Sequence, residues 1–132
     1  MKKIIDISLK IVLALALVTP VLGVLGIFPE PTLDLYSTEQ AYDFVMTLTQ
    51  SGYIMWMMAI VFTVCIVLII RNNMTLVALL LLPITLNIVG FHAFLDGGLF
   101  TAGALMGNVL FLINLYFLWQ SRAQYEALLL GK

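Results

Sequence analysis

Residues 83–96 read PITLNIVGFHAFLD and close an apolar segment that begins at Met74. The stretch holds the chain's one histidine, His92, with Asn87 before it and Asp96 after it. Helical spacing puts Pro83, Asn87, Gly90 and Phe94 on one face and Thr85, His92 and Asp96 on another. Polar and ionisable groups are expensive in hydrocarbon, so in such a segment they turn to a bundle interior or a wet cavity. Pro83 frees a backbone carbonyl one turn earlier, which neighbours or water must satisfy. The remaining segments read as helices that enclose this one.

The composition demands a lipid environment. Of 132 residues, 63% are hydrophobic and 10% charged, against soluble averages of roughly 45–50% and 25%. Mean hydropathy is +1.12. That length leaves room for one domain. A net charge of −1 offers no basic footprint, which excludes nucleic acid as a partner. The single cysteine, Cys65, rules out an internal disulfide, CxxC redox chemistry and a cysteine-rich metal site. It reads as a small apolar packing residue.

Four runs have bilayer length: about 4–28, 52–70, 74–95 and 99–119. The first opens on Lys2 and Lys3, as a signal peptide would, but its apolar run is too long and Asp6 interrupts the basic region. It reads as an uncleaved span, with Asp6 and Lys10 spaced to pair and Pro20 placed to bend it. Ala16, Thr19, Gly23 and Gly26 form a small-residue stripe there. Gly103 and Gly107 form a GxxxG pair in the last span, with Asn114 further along it. Between the first two spans, Pro29-Glu30-Pro31 stops helix formation, and Ser37 with Gln40 has capping-box spacing. Residues 38–51 then alternate as an amphipathic helix, with Ala41, Phe44, Val45 and Leu48 on its apolar face. Its polar face lacks Lys and Arg, so it reads as a lid on the bundle rather than a lipid-surface helix. The expected fold is an all-α membrane protein, a four-transmembrane-helix bundle with a short amphipathic helix in the first outer loop.

Charge sets the expected orientation. Lys2, Lys3, Lys10, Arg71, Arg122 and Lys132 all fall on one side of such a bundle, and Glu30, Asp34, Glu39, Asp43 and Asp96 fall on the other. Cytoplasmic loops collect Lys and Arg, which puts both termini in the cytoplasm.

The order of short motifs resembles the DoxX-like family of small four-span bacterial membrane proteins. They are FPEP at Phe28–Pro31, AYDF at Ala41–Phe44, SGY at Ser51–Tyr53, LLLPITLNIVGFHAFLD at Leu80–Asp96, and the closing aromatic-rich helix with Tyr125. The resemblance implies a compact inner-membrane bundle. It also implies an association with thiosulfate:quinone oxidoreductase subunits or with membrane assemblies against oxidative stress. Many relatives carry an acidic residue inside the second helix, where this chain has only Thr63 and Cys65. That departure weighs against quinone or proton chemistry.

The candidate ligand-binding residues are His92, Asn87, Phe91, Phe44 and Asp96, in a pocket under the lid. His92 can relay a proton or hydrogen-bond a ligand, or simply cap the helix by bonding Asp96. Asn87 reads equally as ligand contact or interhelical glue, Asn114 reads as glue, and Asp96 beside two glycines reads as a solvated turn residue. Gly23, Gly26, Gly103, Gly107 and Asn114 are the expected helix-packing positions. No paired nucleophile and base, metal-binding spacing or phosphate-binding glycine motif stands in the chain. The function expected is a non-catalytic subunit or small-ligand-binding bundle serving a membrane or periplasmic redox partner, with a homo-oligomer an open option. A quinone-linked oxidoreductase subunit is the alternative, and a small transporter ranks third.

Overall fold

The computed structural model describes residues 1–131. Lys132, counted above among the basic residues, lies outside the described residues. The described chain forms six α-helices: α1 Lys2–Val24, α2 Glu39–Ser51, α3 Tyr53–Ile70, α4 Met74–Phe94, α5 Ala102–Gln120 and α6 Arg122–Leu129. One 3-10 turn, Leu33–Leu35, lies between α1 and α2. Helices α1, α3, α4 and α5 are long and apolar enough to cross a membrane. The four-span, all-α reading of the sequence holds.

The four spans close a ring, α1 on α3, α3 on α4, α4 on α5, and α5 back on α1. Leu13 and Leu17, Phe62 and Cys65, Val77 and Leu81, and Ile113 and Phe117 meet in the centre. The outside is as apolar as the inside, with Trp56, Ile60, Leu86, Leu105 and Leu112 exposed. Water would not tolerate that surface at this size, and acyl chains would. Cys65 is fully buried as a packing residue.

Local chemistry sets where the helices stop. At the end of α1, Ile27 N–H donates to Leu22 O (3.1 Å) and Gly26 N–H to Gly23 O (3.0 Å). Gly26 takes φ +77° to allow it, a C-terminal stop that glycine suits because it has no Cβ. The span therefore ends at Val24, short of the expected Phe28. The same motif ends α3, with Asn73 N–H on Leu68 O (2.9 Å) and Asn72 N–H on Ile69 O (3.0 Å). Asn72 sits there at φ +58°. Asn73 then opens α4 by accepting from Leu76 N–H (3.3 Å). The cap of α2 is Thr38, whose hydroxyl accepts from Ala41 N–H (3.1 Å), not the Ser37–Gln40 box. Thr101 caps α5 in the same way (3.2 Å), so that helix starts after the exposed Leu99 and Phe100 rather than at 99.

The small-residue stripes have different fates. The buried edge of α1 is Leu13 and Leu17, while Gly23 and Gly26 are exposed and no neighbouring helix approaches them. They are not packing residues within the bundle. On α5 the pair does pack. A Cβ at Gly107 would stand 2.6 Å from Ile88 Cγ2, and one at Gly103 would stand 3.5 Å from Asp96 Oδ2 and 3.6 Å from His92 Cε1. Asn114, 1% exposed, lies further along the same contact. With its amide oriented to suit its neighbours, it donates to Ala78 O (3.2 Å) and accepts from Leu82 N–H and the Thr85 hydroxyl (3.2 Å each). It bridges α5 to the backbone of α4 just before Pro83, as glue.

The expected Asp6–Lys10 pair does not form. Asp6 instead accepts from Tyr116 and Gln120 of α5, and Lys10 donates to Asn72 Oδ1 (2.9 Å). Both polar side chains tie α1 to other parts of the bundle instead of to each other. Beyond α5, α6 is held by the Tyr125 hydroxyl on Thr75 O (2.7 Å).

Gly107→Val should destabilise the bundle by about 1–3 kcal/mol, because Ile88 has nowhere to go. Detergent-denaturant unfolding reads this directly, and Ile88→Ala in the same background should recover part of the loss. Gly23→Ala should stay within about 0.5 kcal/mol of the parent.

Candidate functional site

The two faces of α4 build two different environments. Thr85, Ile88 and His92 turn toward α5, and Asp96 follows just past the helix end. The His92 imidazole lies over the gap left by Gly103 and Gly107. Its Nδ1 stands 2.9 Å from Asp96 Oδ2, one helical turn on, in the one ion-pair geometry among the described residues. A carboxylate accepts, so the Nδ1 proton points to Asp96 and the Nε2 edge lies toward Gly107.

Asp96 is 2% exposed and is not a solvated turn residue. Its second oxygen accepts from the Ser37 backbone N–H (2.7 Å). The next residue, Thr38, donates its hydroxyl to Leu95 O while capping α2. The end of α4 and the start of α2 therefore satisfy each other's unpaired backbone groups. Gly97 makes the approach possible. Its φ is +82°, and a Cβ there would come within 3.0 Å of Ser37 Cβ. Tyr36 completes the junction, edge-on to Phe91 (6.4 Å, 88°) and tilted against Tyr42 (6.0 Å). Burial, and then the charge of Asp96, holds the Tyr36 phenol above its ordinary range.

The other face of α4 opens outward. Pro83, Leu86, Asn87, Gly90, Phe91, Phe94 and Leu95 line a groove of about 600 Å³, closed at its top by Phe44 of α2. Phe44 stacks on Phe91 with ring centroids 5.9 Å apart and 29° between planes. Asn87 is exposed and supplies the groove's polar side chain. Gly90 leaves its floor open, since nothing lies within 4 Å of where a Cβ would stand.

The residues expected in one pocket thus fall into two sets. Phe44, Asn87 and Phe91 line the groove. His92 and Asp96 lie behind it, against α5. Phe91 is the wall between the sets, edge-on to the His92 ring at 5.0 Å. Tyr36, Ser37 and Thr38 were not among the expected site residues. The only sequence signal was a helix-start residue type at 37 and 38. The partner lies 59 positions away, beyond the reach of any local pattern.

Fold and site together define a multi-pass, all-α membrane protein with a lidded groove. No family model, curated protein or solved structure matches this chain.

Removing the carboxylate should release the lid first. In Asp96→Ala, hydrogen exchange at Ser37 and the first turn of α2 should accelerate at least tenfold, while the middle of α3 stays protected. The global loss should be about 3–5 kcal/mol, the cost of orphaning one member of a buried pair. Asp96→Asn keeps acceptor capacity and should lose less.

Proposed function

We propose that this chain is a non-catalytic membrane bundle of the DoxX-like type that holds a small amphiphilic molecule in the Asn87 groove for a redox partner. The observation that carries this reading is the groove itself. One amide, with two donors and an acceptor, stands among aromatic and aliphatic walls on a surface facing lipid. Ligand sites are mostly apolar with few polar groups to fix orientation, and this volume lies within their ordinary range. Exposed Leu86 and Phe94 leave entry open from the acyl region. The ligand class is a molecule with a hydrogen-bonding head and an apolar body, entering laterally, with its head at Asn87 and its apolar part against Phe91 and Phe44. A quinone fits that class. This favours, as a second reading, a subunit that presents quinone to an electron donor, with Asn87 donating to the ring carbonyl.

The proposed location is a bacterial inner membrane with both termini in the cytoplasm. In support, Lys10 bonds Asn72 beside Arg71, and Asp6 bonds Gln120 close to Arg122. Among the described residues, the basic ones therefore gather at one end of the bundle. The lid, with Glu39 and Asp43, caps the other end.

Asn87→Leu and Phe44→Ala should each weaken binding of a short-chain quinone analogue about tenfold in mild detergent. Asn87 is exposed, so Asn87→Leu should hardly change thermal stability, while Phe44→Ala also loses the stack on Phe91. Unaltered affinity in both variants would remove the groove from consideration. A reporter enzyme active only in the cytoplasm should work when fused after Gly131 and be silent when inserted near Asp34. The opposite pattern would reverse the orientation.

A further inference from the structure

The basic end of the bundle carries a second arrangement, remote from the groove. Lys2 at the start of α1, Gln120 at the end of α5 and Arg122 at the start of α6 border a polar depression of about 400 Å³, together with Tyr116 and Trp119. A second depression, of about 630 Å³, shares Tyr116, Trp119 and Arg122 with the first and is otherwise lined by Leu112, Leu115 and Leu118. The two adjoin at those three shared residues. One is cationic and hydrogen-bonding, and the other is a shallow leucine-lined surface on the outside of α5.

We propose that this joint surface is a binding site for an anionic phospholipid, its phosphate between Lys2 and Arg122 and an acyl chain along Leu112, Leu115 and Leu118. Arg122 is preorganised for the task. Its guanidinium lies 4.7 Å over the Trp119 ring, and Nη1 donates to Trp119 O (2.9 Å). That leaves the rest of its fork of donors for phosphate oxygens. Neither Lys2 nor Arg122 has an ion-pair partner among the described residues. The nearby carboxylate, Asp6, accepts from Tyr116 and Gln120 and makes no ion pair with Lys2 or Arg122 among the described residues. Trp119 sits at the end of the span, where an amphipathic ring suits the headgroup layer. Basic pockets between spans at a membrane surface suit anionic headgroups. A zwitterionic lipid would bring a choline or ethanolamine cation against Lys2 and Arg122, so the site discriminates by charge.

The test uses the full chain with Trp56→Phe, which leaves Trp119 as the sole tryptophan, in nanodiscs containing lipids brominated on their acyl chains. Brominated phosphatidylglycerol diluted to a tenth of the lipid should quench Trp119 at least threefold more than brominated phosphatidylcholine at the same dilution. Equal quenching by the two lipids overturns the proposal. Lys2→Gln with Arg122→Gln should abolish the preference, while Lys3→Gln with Arg71→Gln removes the same charge from the same end outside the pocket and should keep it. Loss of preference in both double variants, or retention in both, overturns a built site. Inorganic phosphate at 10 mM should not displace the lipid. Displacement would mean that the leucine-lined surface contributes nothing, and would overturn the lipid assignment. Should the pocket variant fail to fold, the comparison of the two brominated lipids on the otherwise unaltered chain decides alone.

Discussion

Two absent side chains on α5 set how close α4 can come, and most of the molecule follows from that distance. Gly107 admits Ile88, and Gly103 leaves room for the His92 ring and the Asp96 carboxylate. In lipid there is no hydrophobic gain from bringing two helices together, so close packing and interhelical hydrogen bonds must hold them. The glycine gap supplies the first and Asn114 the second. Once α4 lies in that gap, its polar face is turned inward and its other face must look out, which places Asn87 on the groove. The same rotation delivers Asp96 to the top of the bundle, where it meets Ser37 and draws α2 across.

The buried polar groups within the spans follow a single rule: each has a partner among the described residues, whereas Asn87 stands exposed on the groove. Thr19 and Thr63 donate back to carbonyls in their own helices, Thr85 donates to Asn114, which bridges two helices, and Asp6 is held by Tyr116 and Gln120. No buried side-chain polar atom among the described residues lacks a partner. An unpaired donor or acceptor in hydrocarbon costs several kcal/mol. Several of these partners lie on another helix, so the polar residues help set which helices are neighbours as well as tolerating their surroundings.

The spans and their number were legible because a bilayer imposes one length on every crossing, and runs of apolar residues record it. The division of α4 into a Pro83–Asn87–Gly90–Phe94 face and a Thr85–His92–Asp96 face was legible from 3.6-residue periodicity alone. What each face met was not. Periodicity says that His92 and Asn87 point apart, yet assembling them into one pocket required ignoring it. Gly26 shows another limit. Glycine serves close packing and helix termination equally well, and only the backbone bonds of Ile27 and Gly26 to the preceding turn tell which use this one has. The Asp6–Lys10 spacing was sound as local geometry, but partners on α5 and in the α3–α4 turn were better placed. Asp96 looked like a turn residue because its flanking glycines are turn residues. Its burial depends on Ser37, more than half a hundred residues upstream.

The turn Arg71-Asn72-Asn73 has a bearing on biogenesis. With three residues between them, Ile70 and Met74 can never be more than roughly 14 Å apart, so α3 and α4 stay neighbours from the moment both have been made. The first helix precedes that hairpin by the whole lid segment. Its polar side chains reach Asn72 at the hairpin's tip and Tyr116 and Gln120 on α5, so its contacts are complete only once α5 has joined. The earliest helix is thus tied to both later pieces of the chain, at the tip of the hairpin and on the last span.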